Sequence, residues 1–419
     1  MKKKLTSIFL SAVLISQVSV APQISAERIN NFSENIAKSE KANSKIVYAL
    51  KRVGVTASLF AGLFLLHNHF GQSEDVPAAS SVKPPVQIDD ISLTNNTVHV
   101  VPLDQRISEF EKILDKYLNN SYSIQLDEIY RICNKAIPVL ERESSLLRIE
   151  GPTIVVGDIH SNIGSLEFSV RKFLREVKYG KSILFLGDYV DRGSLAPGGP
   201  NGIKNVALLL QLKTMFPDKV FLLRGNHEDG FVNAQYGFVK ECRKIYGKKV
   251  GVNVYETFND VFNYLSLAAV VNNSTFCVHG GISPELDFLY KIENINKPLD
   301  YNQLSVEDFM GNAKIPDEYN TLAIDLLWSD PMSGIYGFKK SIRGAGWKYG
   351  HDVVNKFLEG NNLRRIVRAH EQVDGHNDVF GDGSVITIFS APDYSSKGSN
   401  KGEIMDINGD DIRYEQIRY

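Results

Sequence analysis

An aspartate and a histidine stand two residues apart in TIVVGDIHSN, Thr153 to Asn162, where an apolar run ends. A strand repeats its side-chain direction every second residue, so Asp158 and His160 point the same way if the backbone stays extended. Two such groups aimed at one spot are half of a metal site or part of a catalytic dyad. Taken alone, the pair also fits an ordinary loop. The rest of the chain supplies partners, each just past a strand-like run. LFLGDYVDRG gives Asp188 and Asp191, FLLRGNHE gives Arg224, Asn226, His227 and Glu228, FCVHGG gives His279, and IVRAHE gives Arg368 and His370. In open sheets flanked by helices, ligands gather at the carboxyl ends of strands. Glycines 157, 187, 225, 280 and 281 adjoin these residues and allow close backbone approach.

Aspartate, asparagine and histidine offer oxygen and imidazole nitrogen and no thiolate. That donor set suits manganese first, with iron or zinc as alternatives, and not copper or iron–sulfur. Asp158, His160, Asp188, Asn226, His279 and His370 are too many for one ion with an open position. They suffice for two ions sharing a carboxylate, an arrangement used to hydrolyse phosphate esters.

These residues need a sheet to carry them. Strand-like TIVV, SILFL and KVFLL alternate with amphipathic patterns, such as Ile163, Leu166, Val170, Phe173, Leu174 and Val177 on one face. TFCV, RRIV and SVITIF follow with longer irregular stretches, so an α/β chain with mixed sheets is expected. GDGS and NGDD near the end read as hairpin turns, and RGAG at Arg343 follows no strand-like run.

The chain of 419 residues is 43% hydrophobic, enough for a large core. Its net charge of −2 argues against a nucleic-acid partner. Cys133, Cys242 and Cys277 form no CxxC pair and read as buried small apolar residues. Residues 1–26, with Lys2, Lys3 and Lys4 before an apolar stretch, have the layout of a secretory signal peptide. Residues 27–104 form an extension, holding an apolar segment at 53–66 and a Ser/Pro-rich linker. The segment is shorter than the ~20 residues of a spanning helix, and membrane association through it stands as one of two even readings. A secreted or membrane-associated protein is expected, with its catalytic domain at 105–419. Lys244, Lys248 and Lys249 read as a solvated patch.

The set GDIHS, GDYVDRG, LLRGNHE, HGG, LLWSDP, RAHE and FSAPDY resembles the phosphoprotein phosphatase family of serine/threonine phosphatases, within the calcineurin-like metallophosphoesterases. The resemblance covers roughly Ile107 to Tyr419. It implies a two-sheet β-sandwich flanked by helices, with a dimetal site at one end. It further implies that Asp158, His160 and Asp188 hold one ion, and that Asp188 bridges to a second held by Asn226, His279 and His370. Arg224 and Arg343 correspond to phosphate-binding arginines, His227 with Asp191 to the general acid, and Tyr394 to a tyrosine lining the site. The reaction implied is in-line hydrolysis of phosphoserine or phosphothreonine in a phosphoprotein. The alternatives are a small-molecule phosphohydrolase of the dinucleoside polyphosphate type and a catalytically dead interaction module. The resemblance does not say which regulatory subunits the chain would take. Ser161, Asp393 and the pair Ser395–Ser396 depart from the family pattern, and Ser161 is expected to sit strained in a tight loop.

Overall fold

The computed structural model describes residues 101–119, 121–193, 200–299, 321–395 and 400–418. The signal peptide read at 1–26, the extension up to residue 100 with its 53–66 segment, most of the loop after Gly193, and Ser396 lie outside the described residues. Among those described, no helix is long and apolar enough to cross a membrane.

The chain opens with two helices, α1 (Leu103–Leu118) and α2 (Leu126–Glu141). Strands β1 (Leu146–Ile149) and β2 (Thr153–Val156) lead to α3 (Ile163–Glu176), then β3 (Ser182–Phe185), α4 (Gly202–Met215) and β4 (Val220–Leu222). Helices α5 (Gly230–Tyr236), α6 (Phe238–Tyr246) and α7 (Val250–Phe262) precede β5 (Ala268–Val271) and β6 (Thr275–Val278). Further on come α8 (Tyr290–Glu293), α9 (Thr321–Trp328), β7 (Asp330–Pro331), β8 (Phe338–Lys340), β9 (Trp347–Tyr349) and α10 (His351–Gly360). The chain closes with β10 (Arg365–Arg368), β11 (His376–Asp378), β12 (Val385–Ile388), β13 (Glu403–Asn408) and β14 (Asp411–Gln416).

The strands form a six-stranded sheet ordered β1-β5-β6-β10-β12-β11 and a five-stranded sheet ordered β14-β13-β2-β3-β4. Both are mixed. β2, β3 and β4 run parallel, whereas β13 pairs antiparallel with β2. The two sheets pack face to face, because alternate side chains of each strand enter different cores. Val155, Leu184, Cys277, Val367, Ile388 and Met405 fill the layer between them. Ile154, Val156, Ile183, Phe185 and Leu222 point outward into a core with α1 to α4. Phe276, Val278, Ile366 and Val385 point the opposite way, into a core with α9 and α10. Strands buried on both faces read as continuous apolar runs, which is how TIVV and TFCV read. Helix α3 starts where the Asn162 side chain accepts the Ser165 amide at 3.1 Å, and it buries Leu166, Val170, Phe173 and Leu174 at helical spacing. The three cysteines are buried and unpaired.

Two features differ from the expectation. A third sheet, β7-β9-β8, has strands of two or three residues. The RGAG stretch does follow a strand: it turns the antiparallel hairpin between β8 and β9. The GDGS and NGDD turns lie where expected, between β11 and β12 and between β13 and β14.

Candidate active site

The strand ends of both sheets converge on one cavity of about 340 Å³. Its lining includes Asp158, His160, Asp188, Arg192, Asn226, His227, Tyr236, Trp328, Arg343, His370 and Tyr394. Two glycines make the convergence possible. Gly187 has φ +110°, and a Cβ there would lie 2.3 Å from the Gly225 nitrogen. A Cβ on Gly225 would lie 2.3 Å from Asp188 Oδ1. The loops after β3 and β4 therefore touch backbone to backbone, and this brings Asp188 against Asn226 and His227.

Three of the expected ligands, with neighbours on their loops, sit in strained turns. His160, Ser161, Asp188, Asp191, Arg192 and His370 all hold φ between 38° and 68°. Such conformations persist only where the surroundings over-determine them. Ser161 does occupy the tight loop, with its hydroxyl donating to the Asp191 carbonyl at 3.0 Å. Behind the turns, buried Glu228 accepts the amides of Asp188, Tyr189 and Gly225 at 2.7, 2.8 and 2.9 Å. One carboxylate thus fixes three backbone positions of the site.

Asp188 stands at the centre. Its Oδ2 lies 3.3 Å from His160 Nε2 and its Oδ1 lies 3.4 Å from His279 Nε2. Asp158 lies 3.8 Å from both imidazoles and accepts the His370 amide at 3.1 Å. Asn226 Oδ1 lies 3.0 Å from His279 Nε2 and 3.0 Å from His370 Nδ1. His279 is fully buried behind the cavity wall but reaches the same cluster. His160 Nδ1 is 3.2 Å from the Val190 carbonyl and His279 Nδ1 is 3.0 Å from the Leu186 carbonyl. Each Nδ1 therefore carries the proton, and each Nε2 turns a lone pair toward carboxylate oxygens.

Burial pushes the Asp158 carboxyl up to about 7, and burial together with Asp158 pushes Asp188 well above the usual range. Burial also holds the imidazoles of His160, His279 and His370 well below their ordinary pKa, so they are neutral. Lone pairs facing carboxylates repel unless a cation lies between them. The donor set therefore fits divalent ions, in two groups that share Asp188: His160 with His227, and His279 with His370.

His227 Nδ1 is 2.7 Å from Asp191 Oδ2, and Asp191 Oδ1 accepts the Phe238 amide at 2.8 Å. Burial pushes Asp191 up to about 8 and His227 down to about 3. Both shifts oppose charge, so the pair stays net neutral and leaves His227 Nε2 for the cavity. Tyr394 stacks on His160 with ring centroids 4.9 Å apart.

The arginines require a correction. Arg343 lines the cavity, steered by Nε to Asp330 Oδ2 at 2.8 Å. Arg224, expected as its partner, does not line it. Its Nε donates to the Glu228 carbonyl at 3.1 Å, its Nη1 to the Leu299 carbonyl at 2.7 Å and its Nη2 to Asn263 Oδ1 at 3.3 Å. Arg224 follows β4 after Leu223 and is only 1% exposed, so its guanidinium is an interior brace. Arg192 lines the cavity instead, lying 4.2 Å from the Tyr236 ring centroid, with its Nε buried and unpartnered. Residue type and spacing did not single out Arg192, Tyr236, Trp328 or Asp330. The signal for Arg192 was its place beside Asp191, deeper into the loop than strand backbone extends.

A family model described as calcineurin-like phosphoesterase matches residues 151–374, more than half of the chain. A solved protein serine/threonine phosphatase from Saccharomyces cerevisiae, with similarity to human phosphatase PP5, is 26% identical at a TM-score of 0.59. The match covers 74% of this chain and 96% of that one. A cold-active protein-tyrosine phosphatase of a psychrophile Shewanella is 15% identical over 67% of this chain and 84% of its own, at 0.43. A putative diadenosine tetraphosphatase is 15% identical over 65% and 98%, at 0.33. The last two overlaps are too loose to bear on function. The family match spans the strand ends that carry Asp158, Asp188, Asn226, His279 and His370, and on that ground the chain belongs to the calcineurin-like phosphoesterase family.

Proposed function

We propose that this phosphoesterase is a serine/threonine protein phosphatase using two divalent ions, manganese first, with iron or zinc as alternatives. The observation that carries the reading is the pairing of Arg192 and Arg343 on a cavity that also exposes Asp158, Asp188 and His227. Two guanidinium groups match the oxygens of one phosphoryl group. The 26% identical yeast protein serine/threonine phosphatase, covered over 96% of its length, supports the same substrate class.

Asp158, His160 and Asp188 would hold one ion, and Asp188, Asn226, His279 and His370 the other. When bound, the ions supply Lewis acidity and lower the pKa of water, the nucleophile of the in-line displacement. Arg192 and Arg343 grip the equatorial oxygens, where charge develops. Asp330 orients Arg343 through the 2.8 Å contact. With the Asp191 carboxyl donating to Nδ1, neutral His227 carries its proton at Nε2, delivers it to the departing seryl or threonyl oxygen and takes the Asp191 proton in its place. Tyr394 and Tyr236 wall the cavity. No thiol takes part, because Cys133, Cys242 and Cys277 are buried.

The same proposal assigns the catalytic unit to 105–419 and gives residues 1–26 a secretory role, with a secreted or membrane-associated product.

The test compares specificity constants side by side. Phosphoserine and phosphothreonine peptides should exceed a dinucleoside tetraphosphate. A polyphosphate chain with two bases needs more positive charge than two arginines offer. A dinucleotide ranked above every phosphopeptide would move the protein to the small-molecule reading.

A further inference from the structure

Helix α6 begins at the active site and runs away from it. The amide of its first residue, Phe238, binds Asp191, and Tyr236 just before it walls the cavity beneath Arg192. The inner face of α6, Phe238, Glu241 and Cys242, is buried. Its outer face carries Lys240, Arg243 and Lys244 at positions i, i+3 and i+4, and Lys248 and Lys249 follow at once. All five are exposed. Among the described residues, none of them makes an ion pair or a side-chain hydrogen bond. The one acid of the stretch, Glu241, is turned inward to the Gly202 and Ile203 amides. In a chain of net charge −2 this is a local inversion of sign. Like charges at such spacing repel, and an anionic partner relieves that repulsion.

We propose that this patch is a docking surface for an acidic segment of the substrate polypeptide, several residues along from the phosphorylated one. The inference rests on the protein-phosphatase reading above. Continuity selects the occupant, since the patch starts in the first turn of α6, just past the tyrosine that walls the cavity. A nine-residue helix is about 13 Å long at 1.5 Å per residue. An extended peptide advances about 3.3 Å per residue, so acids about three to six positions from the phosphoserine would reach the patch. An anionic lipid surface would also meet the exposed Ile245 and Val250, but it has no link to the cavity.

The experiment uses phosphoserine peptides bearing either four acids or four glutamines at those positions, on each side in turn, with an aryl phosphate as reference. On one side the acidic peptide should show a kcat/KM about fivefold or more higher. That advantage should fade as salt rises, because exposed charges are screened over about 8 Å at physiological ionic strength. Replacing Lys244→Glu, Lys248→Glu and Lys249→Glu together should erase it and leave aryl phosphate turnover unchanged. Equal rates for the paired peptides, or a preference that survives the triple substitution, would overturn the proposal. So would equal peptide rates alongside capture of acidic vesicles by the patch, which would make it a membrane contact. Turnover of the aryl phosphate with no turnover of any phosphopeptide would instead sink the protein-phosphatase reading itself.

Discussion

Arg192 and Arg224 show how far residue type alone carries. Both are arginines in glycine-containing strand-end motifs, and only their depth in the loop separates them. Arg224 comes one residue after the apolar run, where its amide still pairs with the Ser266 carbonyl at 2.8 Å. Its side chain is therefore delivered to the interior. Arg192 follows Asp191 into a left-handed turn, φ 59°, which lifts it to the cavity. Type and a place just past an apolar run picked out the six proposed ligands, but His160, Asp188 and His370 are aimed by left-handed turns and not by the extended backbone expected after Asp158. The arginines depend on turn geometry, which spacing does not encode. Their substitutions should part accordingly. Arg192→Ala should lower kcat/KM on a phosphopeptide about ten- to a hundredfold, as loss of a charge-assisted contact of about 1.5–3 kcal/mol implies, with little change in unfolding free energy. Arg224→Ala should unsatisfy buried acceptors and lower stability by about 1–3 kcal/mol in urea unfolding. A stable Arg224→Ala protein that has lost phosphate affinity would return the phosphate role to Arg224.

Among elements, the two sheets and their flanking helices were legible because both faces of central strands such as β2, β3, β6 and β12 are buried, so the apolar runs stand out. The third sheet was not. Phe338–Lys340 and Trp347–Tyr349 are too short for a period to register, and their lysines and aromatics read as loop. Helix α4 shows a cost that sequence also hides. Its first amides, Gly202 at 3.2 Å and Ile203 at 2.9 Å, donate to Glu241 on α6. Helix N-termini favour carboxylates, yet burial wins and pushes Glu241 up to about 7. The folded pKa thus lies above the ordinary value of 4.5. The folded state binds more protons than the unfolded state between those values, and this contribution to stability falls as pH rises from about 4.5 to about 7. Glu241→Gln keeps one carbonyl acceptor and removes the titration. The wild-type protein should therefore lose up to a few kcal/mol relative to Glu241→Gln across that window, since each tenfold change in proton affinity is worth about 1.36 kcal/mol. Urea unfolding of both proteins at several pH values measures the difference. A constant difference from pH 4.5 to 7 would mean that Glu241 stays ionised when buried.

At the scale of the whole molecule, residues from Thr97 onward form one compact unit, and its two large sheets, packed face to face, turn their strand ends to the same cavity. Asp158 and Asp188 come from the five-stranded sheet, and His279 and His370 from the six-stranded one. The cluster therefore joins the halves of the sandwich. Its carboxylates are pushed toward protonation and its imidazoles toward neutrality, so without cations it opposes the packing that creates it. Ions that bind the folded state and not the unfolded one should stabilise the whole unit, by about 2.7 kcal/mol at a free concentration a hundred times Kd. Residues 100–419, purified and treated with chelator, should melt at a lower temperature than the loaded protein. Two equivalents of manganese should restore the Tm, and metal analysis should return two ions per chain. Asp188→Asn should reduce both the stoichiometry and the metal-induced rise in Tm more than His160→Ala or His370→Ala, because Asp188 alone lies within 3.4 Å of imidazoles from both groups. A single ion per chain in the unsubstituted protein, or an Asp188→Asn protein that still takes up two ions with an unchanged rise in Tm, would remove the shared carboxylate from the site.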